Sequence, residues 1–105
     1  MYKIVYLKNG MKQDELSSMW GQVFGDDAAF TGGFYQAFDG HMDIVAAMDE
    51  QGILASAAHF IPVSMRMGKM LIKGSYLYAA MTLPEHRGHS LMGGILAKRM
   101  QRGYD

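Results

Sequence analysis

The 105-residue chain has no cysteine and only two prolines. Without thiols it can form no disulfide, no thiolate nucleophile and no cysteine-ligated zinc site, so a cross-linked miniature fold and redox chemistry at sulfur are both excluded. A cysteine-free chain fits a reducing compartment, and the cytoplasm is the expected location. Long hydrophobic runs are also missing. No window approaches the roughly 18 apolar residues of a membrane span, and Met1-Tyr2-Lys3-Ile4 does not open a signal peptide. Net charge is absent too, because ten Lys and Arg cancel ten Asp and Glu. The basic residues are scattered, so no nucleic-acid partner and no membrane partner are expected.

Half of the residues are apolar, with thirteen glycines and eleven methionines. That suffices for one small domain over residues 1–105. The zero net charge hides an asymmetry. Residues 1–50 hold three basic and eight acidic side chains, whereas residues 51–105 hold seven basic and two acidic. An anionic ligand should therefore meet the second half.

Tyr2 to Leu7 reads as a first strand, closed by the turn pair Asn9-Gly10. Leu16, Met19, Trp20, Val23 and Phe24 then recur at the spacing of one helix face, and Gly25 ends that helix. Asp26 or Asp27 can cap a second short helix through Phe30, Phe34 and Tyr35. Asp43 to Met48 is a strand, Asp49-Glu50-Gln51-Gly52 a turn, and Ile53 to Met65 a long strand whose Pro62 predicts an edge position or a bulge. After a turn at Gly68-Lys69, Leu71 to Leu83 forms another strand, with Gly74 as the expected irregularity. Its run from Tyr76 to Thr82, apolar without strict alternation, predicts a central strand covered on both faces. Leu91, Met92, Ile95, Leu96 and Met100 lie along one stripe of a last helix, with Ser90 as its N-cap and Lys98, Arg99 and Arg102 near its C-terminal end. The expected class is α/β (α+β), a mixed and mostly antiparallel sheet with flanking helices in the order β-α-α-β-β-β-α.

The stretch from Tyr76 to Leu96 carries the chemistry. A strand runs into Pro84, a loop with Arg87 and Gly88 follows, and a helix begins. The first N–H groups of a helix are unpaired and carry about half a positive charge, so this arrangement suits an anion such as pyrophosphate. Gly93-Gly94 costs about 1 kcal/mol per residue in helix propensity, which calls for a compensating close approach.

This stretch resembles the pyrophosphate-binding motif of the GNAT superfamily of N-acetyltransferases, whose pattern is Gln or Arg, two residues, Gly, one residue, then Gly or Ala. Arg87 matches its first position, Ser90 stands where its Gly is expected and Met92 where its Gly or Ala is expected. Leu16 to Phe34 looks like the first two helices of bacterial members, and Asp43 to Gly68 like the hairpin that follows. The resemblance implies an incomplete acyl-CoA N-acyltransferase fold, with acetyl-CoA as cosubstrate and an amine as acceptor. It further implies that Ala80, Met81 and Thr82 offer backbone groups to the pantetheine arm and thioester. The pyrophosphate would be held by Arg87, Gly88, His89, Ser90, Leu91 and Met92. Family members continue with a further strand, a helix that often carries a tyrosine acid, and closing strands, so the resemblance also implies a chain cut short after the pyrophosphate-binding helix.

Other readings stand beside this one. A non-catalytic remnant would bind CoA or pair with another chain, a second copy included, through an open sheet edge. A methionine-rich metal module would bind Cu(I) through thioethers. The methionines, however, are dispersed along helix stripes and strands as core filling, and no metal is expected. His86 and His89, three apart, lack partners for a metal site. Glu85 and His86 read as solvated loop residues, His59 as a hydrogen-bonded core or sheet residue, and Tyr76 and Tyr78 as neighbours on one strand face.

Overall fold

The first helix forms as its apolar spacing dictates. In the computed structural model, which describes residues 1–8, 10–38 and 40–102, α1 spans Gln13–Phe24 and buries Leu16, Met19 and Trp20. Asp14 and Glu15 in its first turn suit the helix dipole. Gly25 ends it in the left-handed conformation (φ 78°), its N–H donating to the Gly21 carbonyl at 2.9 Å. α2 spans Ala28–Ala37, and Asp27 caps it by accepting from Phe30 N at 2.8 Å.

Four strands follow the expected order. β1 (Lys3–Leu7), β2 (Asp43–Met48), β3 (Leu54–Met67) and β4 (Met70–Thr82) lie side by side in that sequence. Every pairing among them is antiparallel. The turn Asp49–Gly52 joins β2 to β3, with Asp49 accepting from Gln51 N and Ile53 N. Asn9 of the expected first turn lies outside the described residues. A single 3-10 turn at Pro84–His86 leads to α3 (Leu91–Arg102).

Helices cover both faces of the sheet. On one, α1 and α2 pack Trp20, Phe34 and Tyr35 against Ile44, Leu54, Ala57 and Met81. On the other, α3 sets Leu91 and Ile95 against Val45, Ala55, Ala58 and Phe60. The glycine pair of α3 has half of its explanation here, since a Cβ on Gly94 would sit 2.5 Å from Ile4 Cδ1, whereas one on Gly93 would meet nothing. Arg99 does not simply face the helix end. It is buried, pairs with Asp43 at 3.3 Å and donates to Ser75 Oγ at 2.9 Å, tying α3 to β2 and β4.

Four expectations are corrected. β4 is the outermost described strand, not a central one, and Tyr76 and Leu77 are 56% and 41% exposed. Cover on both faces is confined to its end, where Tyr78, Ala79 and Met81 meet the α1–α2 layer and Ala80 meets the α3 layer. Gly74 pairs in register with Val63, and the irregularity falls instead at Ala79, where the β3–β4 register slips between Ala57 and His59. Met65, Met67, Met70 and Met100 are exposed and fill no core, whereas Met19, Met42 and Met81 are buried in it and Met48 and Met92 pack against it. Phe24, in the last position of α1, is half-exposed, its ring meeting that of Trp20 edge-on.

Pro62 sits where its missing N–H is harmless. β2 reaches only to Phe60 on β3, so from Pro62 onward β3 and β4 form a two-stranded ribbon with a free flank. This projection draws the radius of gyration out to 14.4 Å, against about 13 Å for a compact chain of this length.

Candidate functional site

Two features meet on the last third of β4. The first is the loop and helix start beyond Pro84. Arg87 is exposed, Gly88 takes φ 89°, and Ser90 takes φ 56°. Gly94 N donates to the Ser90 carbonyl at 3.2 Å, the first bond of α3. The N–H groups of Leu91, Met92 and Gly93 precede that bond and have no partner within the helix. Ser90 thus stands at the N-cap, but through a left-handed backbone that only glycine adopts without strain. Its hydroxyl makes no hydrogen bond among the described residues. Beside the loop, His86 Nδ1 and the Tyr2 hydroxyl are 2.8 Å apart, and the His89 ring lies 5.3 Å from that of Tyr2. The Tyr2 contacts brace the loop against β1. No group of three or more metal-ligating side chains occurs among the described residues.

The second feature is the bulge in β4. Ala79 has φ 49°, an uncommon conformation for a residue with a Cβ. It places Tyr78 and Ala79 on the α1–α2 side of the sheet and Ala80 on the α3 side. Leu83 N donates to the Ala55 carbonyl at 3.0 Å, which turns Leu83 and Met81 toward β3 and leaves the backbone of Ala80 and Thr82 facing the open edge. Met81 is buried and its carbonyl accepts from Ser56 Oγ at 2.8 Å. The Ser56 and Thr82 hydroxyls are also 2.8 Å apart.

Beneath the bulge lies a buried polar pair. Tyr35 Oη and His59 Nε2 are 2.8 Å apart, enclosed by Trp20 and Phe34. Burial pushes the His59 imidazole down to about 4, partly offset by backbone acceptors at Ala79 and Tyr78. Burial also raises the Tyr35 hydroxyl well above its ordinary value. Both groups are therefore neutral at physiological pH. His59 is the hydrogen-bonded interior residue its sequence setting implied.

Between the bulge and the end of α1 is a hollow of about 360 Å³ lined by Trp20, Phe24, Asp26, Tyr78 and Ala79. Asp26 leaves the capping of α2 to Asp27 and accepts the Trp20 indole N–H at 2.8 Å instead. Sequence reasoning found neither this hollow nor the Ala79 bulge. The six-residue step from Trp20 to Asp26 across a helix end follows no periodicity, and alanine carries no signal for positive φ. Tyr76 and Tyr78 do share a face, their rings 6.1 Å apart.

Known proteins share this architecture. No curated protein sequence matches the chain. Among solved structures it is similar to a conserved protein of unknown function from Enterococcus faecalis, a probable N-acyltransferase, with TM-score 0.84 at 12% identity, covering 97% of this chain and 26% of that one. It is also similar to AAC(6')-Iy in complex with the bisubstrate analogue CoA-S-monomethyl-acetylneamine (TM-score 0.76, 14% identity, 97% and 70% covered). A third likeness is to a ribosomal-protein-alanine N-acetyltransferase from Brucella melitensis (TM-score 0.69, 12% identity, 97% and 70% covered). The chain thus spans about a quarter of the first of these and more than two thirds of the other two. A family model described as an acetyltransferase (GNAT) domain matches residues 10–105, and the chain therefore belongs to the GNAT acetyltransferase family.

Proposed function

We propose that the chain is an N-acetyltransferase domain that passes an acetyl group from acetyl-CoA to a primary amine of a small molecule or peptide. The observation that carries this reading is the continuity of β4, the 84–90 loop and α3. An open strand edge at Ala80 and Thr82 runs directly into a helix start with three unpartnered N–H groups. These residues fit the cosubstrate by their chemistry. Arg87, the Gly88 turn and the N–H groups of Leu91 and Met92 would hold the pyrophosphate, with His89 and Ser90 shaping the loop.

When bound, acetyl-CoA supplies a thioester whose carbonyl carbon accepts the amine lone pair; the carbon–sulfur bond breaks, and the proton lost by the new amide nitrogen balances the one taken by the CoA thiolate. The outward-facing backbone of Ala80 to Thr82 would orient the pantetheine arm, and an outward N–H there would polarise the thioester oxygen. Met81 anchors that segment through its bond to Ser56. The cysteine-free composition fits residence in the cytoplasm.

The test is mass spectrometry of an amine panel incubated with the chain and acetyl-CoA. A mass gain of one acetyl group on a primary amine, abolished by Arg87→Glu, supports the reading. CoA binding without any transfer would favour a non-catalytic CoA-binding chain instead.

A further inference from the structure

We infer that one face of the projecting β3–β4 ribbon docks a second copy of this chain, ribbon on ribbon, in a two-fold dimer. Beyond Pro62 the strands pair directly, with Val63 opposite Gly74, Met65 opposite Ile72 and Met67 opposite Met70. Partners across an antiparallel ladder share a face, and successive residues alternate between faces. Val63, Met65, Met67, Met70, Ile72 and Tyr76 therefore lie together on one side. That side continues the α1–α2 side of the sheet, because Ile61, opposite Tyr76, packs against the cluster of Trp20 and Phe34. The other side carries Ser64, Arg66, Lys73 and Ser75, the last accepting from Arg99 of α3.

The apolar side is uncovered: its six side chains are 46% to 64% exposed. At about half exposure they present on the order of 500 Å², the size at which an apolar patch marks an interaction site. Two such faces together bury on the order of 1,000 Å², the least that a specific interface needs. Charge favours a second copy as the occupant. None of the six is charged, and Arg66 and Lys73 point away, so pairing brings no like charges together and leaves both cations in water. A membrane would draw on those cations at the level of its headgroups, yet they lie on the side turned from it. Layer height agrees as well. A helix is about 10 Å thick and two sheets pack about 10 Å apart, so a second ribbon fits beside α1 and α2 in their own layer. The far end of β4, with Ala80 and Thr82 at the open edge, stays free, and the dimer is independent of the acetyltransferase reading.

Sedimentation velocity of the full chain over a concentration series tests the pairing. A reversible dimer with a dissociation constant of roughly micromolar order is expected from an interface of this size. Met65→Glu should weaken it about tenfold or more, with the circular dichroism spectrum unchanged, whereas Leu71→Ser on the other side should leave it intact. Because the chain has no cysteine, single substitutions also report which face is joined. Met65→Cys should cross-link the dimer under mild oxidation about tenfold faster than Ser64→Cys, whose side chain points the other way. A chain that stays monomeric at about 100 µM, a dimer that Met65→Glu leaves intact, or equal cross-linking by the two cysteine variants overturns the proposal. Flotation of a monomeric chain with phosphatidylglycerol vesicles would overturn it too, and would assign the face to a lipid surface.

Discussion

Tyr35 on α2 and His59 on β3 share a hydrogen bond of 2.8 Å inside the aromatic cluster, directly under the strand bulge at Ala79. The pair fixes α2 to the sheet, and its imidazole is neutral because the interior cannot solvate the charged form. Stability should therefore depend on acid. The unfolded imidazole takes up a proton below about 6.5, whereas the folded one resists until about 4. The contribution of the neutral ring is present above pH 6.5 and is lost as pH falls toward 4, at most about 3 kcal/mol in all. Urea unfolding at a series of pH values should show this loss, and His59→Gln should flatten the slope across that window.

The two glycines of α3 should behave differently. Alanine at Gly93 meets open space and gains about 1 kcal/mol of helix propensity. At Gly94 the new Cβ would meet the terminal methyl of Ile4 at 2.5 Å, and moving that methyl aside takes back part of the gain. Denaturation midpoints of Gly93→Ala and Gly94→Ala measured side by side decide the matter; equal shifts would contradict the close packing of α3 on β1.

Arg99 should prove more important than a helix-end cation. It is buried, pairs with Asp43 and donates to Ser75, with its guanidinium 5.8 Å from the centre of the Phe60 ring. Removing Asp43 by Asp43→Ala strands a buried charge and should cost about 3 kcal/mol. Arg99→Met, which removes the charge but keeps the stem packed on Phe60, should cost less. The comparison is read from thermal or urea unfolding.

Ser90 holds a left-handed backbone at the start of α3. Ser90→Gly should relieve roughly 1 kcal/mol of strain, less the entropy that glycine adds to the unfolded chain. CoA affinity should hold or rise. Ser90→Val, with a branched Cβ in the same conformation, should lower both stability and CoA affinity, as isothermal titration with CoA would show.

Much of this architecture was legible in the chain because local rules and global packing agree. The α1 stripe has its glycine stop, Asp27 its capping position, and the 49–52 and 68–69 turns carry the residues that such turns need. The Arg87-Gly88 turn and the α3 stripe likewise announced a helix start after a strand. What could not be read depends on long-range geometry. Ala79 adopts positive φ because β3 and β4 mismatch by one residue there, while Gly74, which could bulge freely, does not. The run from Tyr76 to Thr82 is as apolar as a central strand, yet which strand lies beyond it is not encoded in its own composition. The hollow at Trp20 and Asp26 arises where a helix end meets that bulge, and periodicity describes neither.

The most direct test of the account is acetyl transfer itself, measured as amine acetylation by mass spectrometry in the wild-type chain and in Arg87→Glu. The account predicts an acetylated amine with the wild type, and loss of both product and CoA binding when the loop cation is reversed. Full CoA binding by Arg87→Glu would contradict the placement of the pyrophosphate at the start of α3.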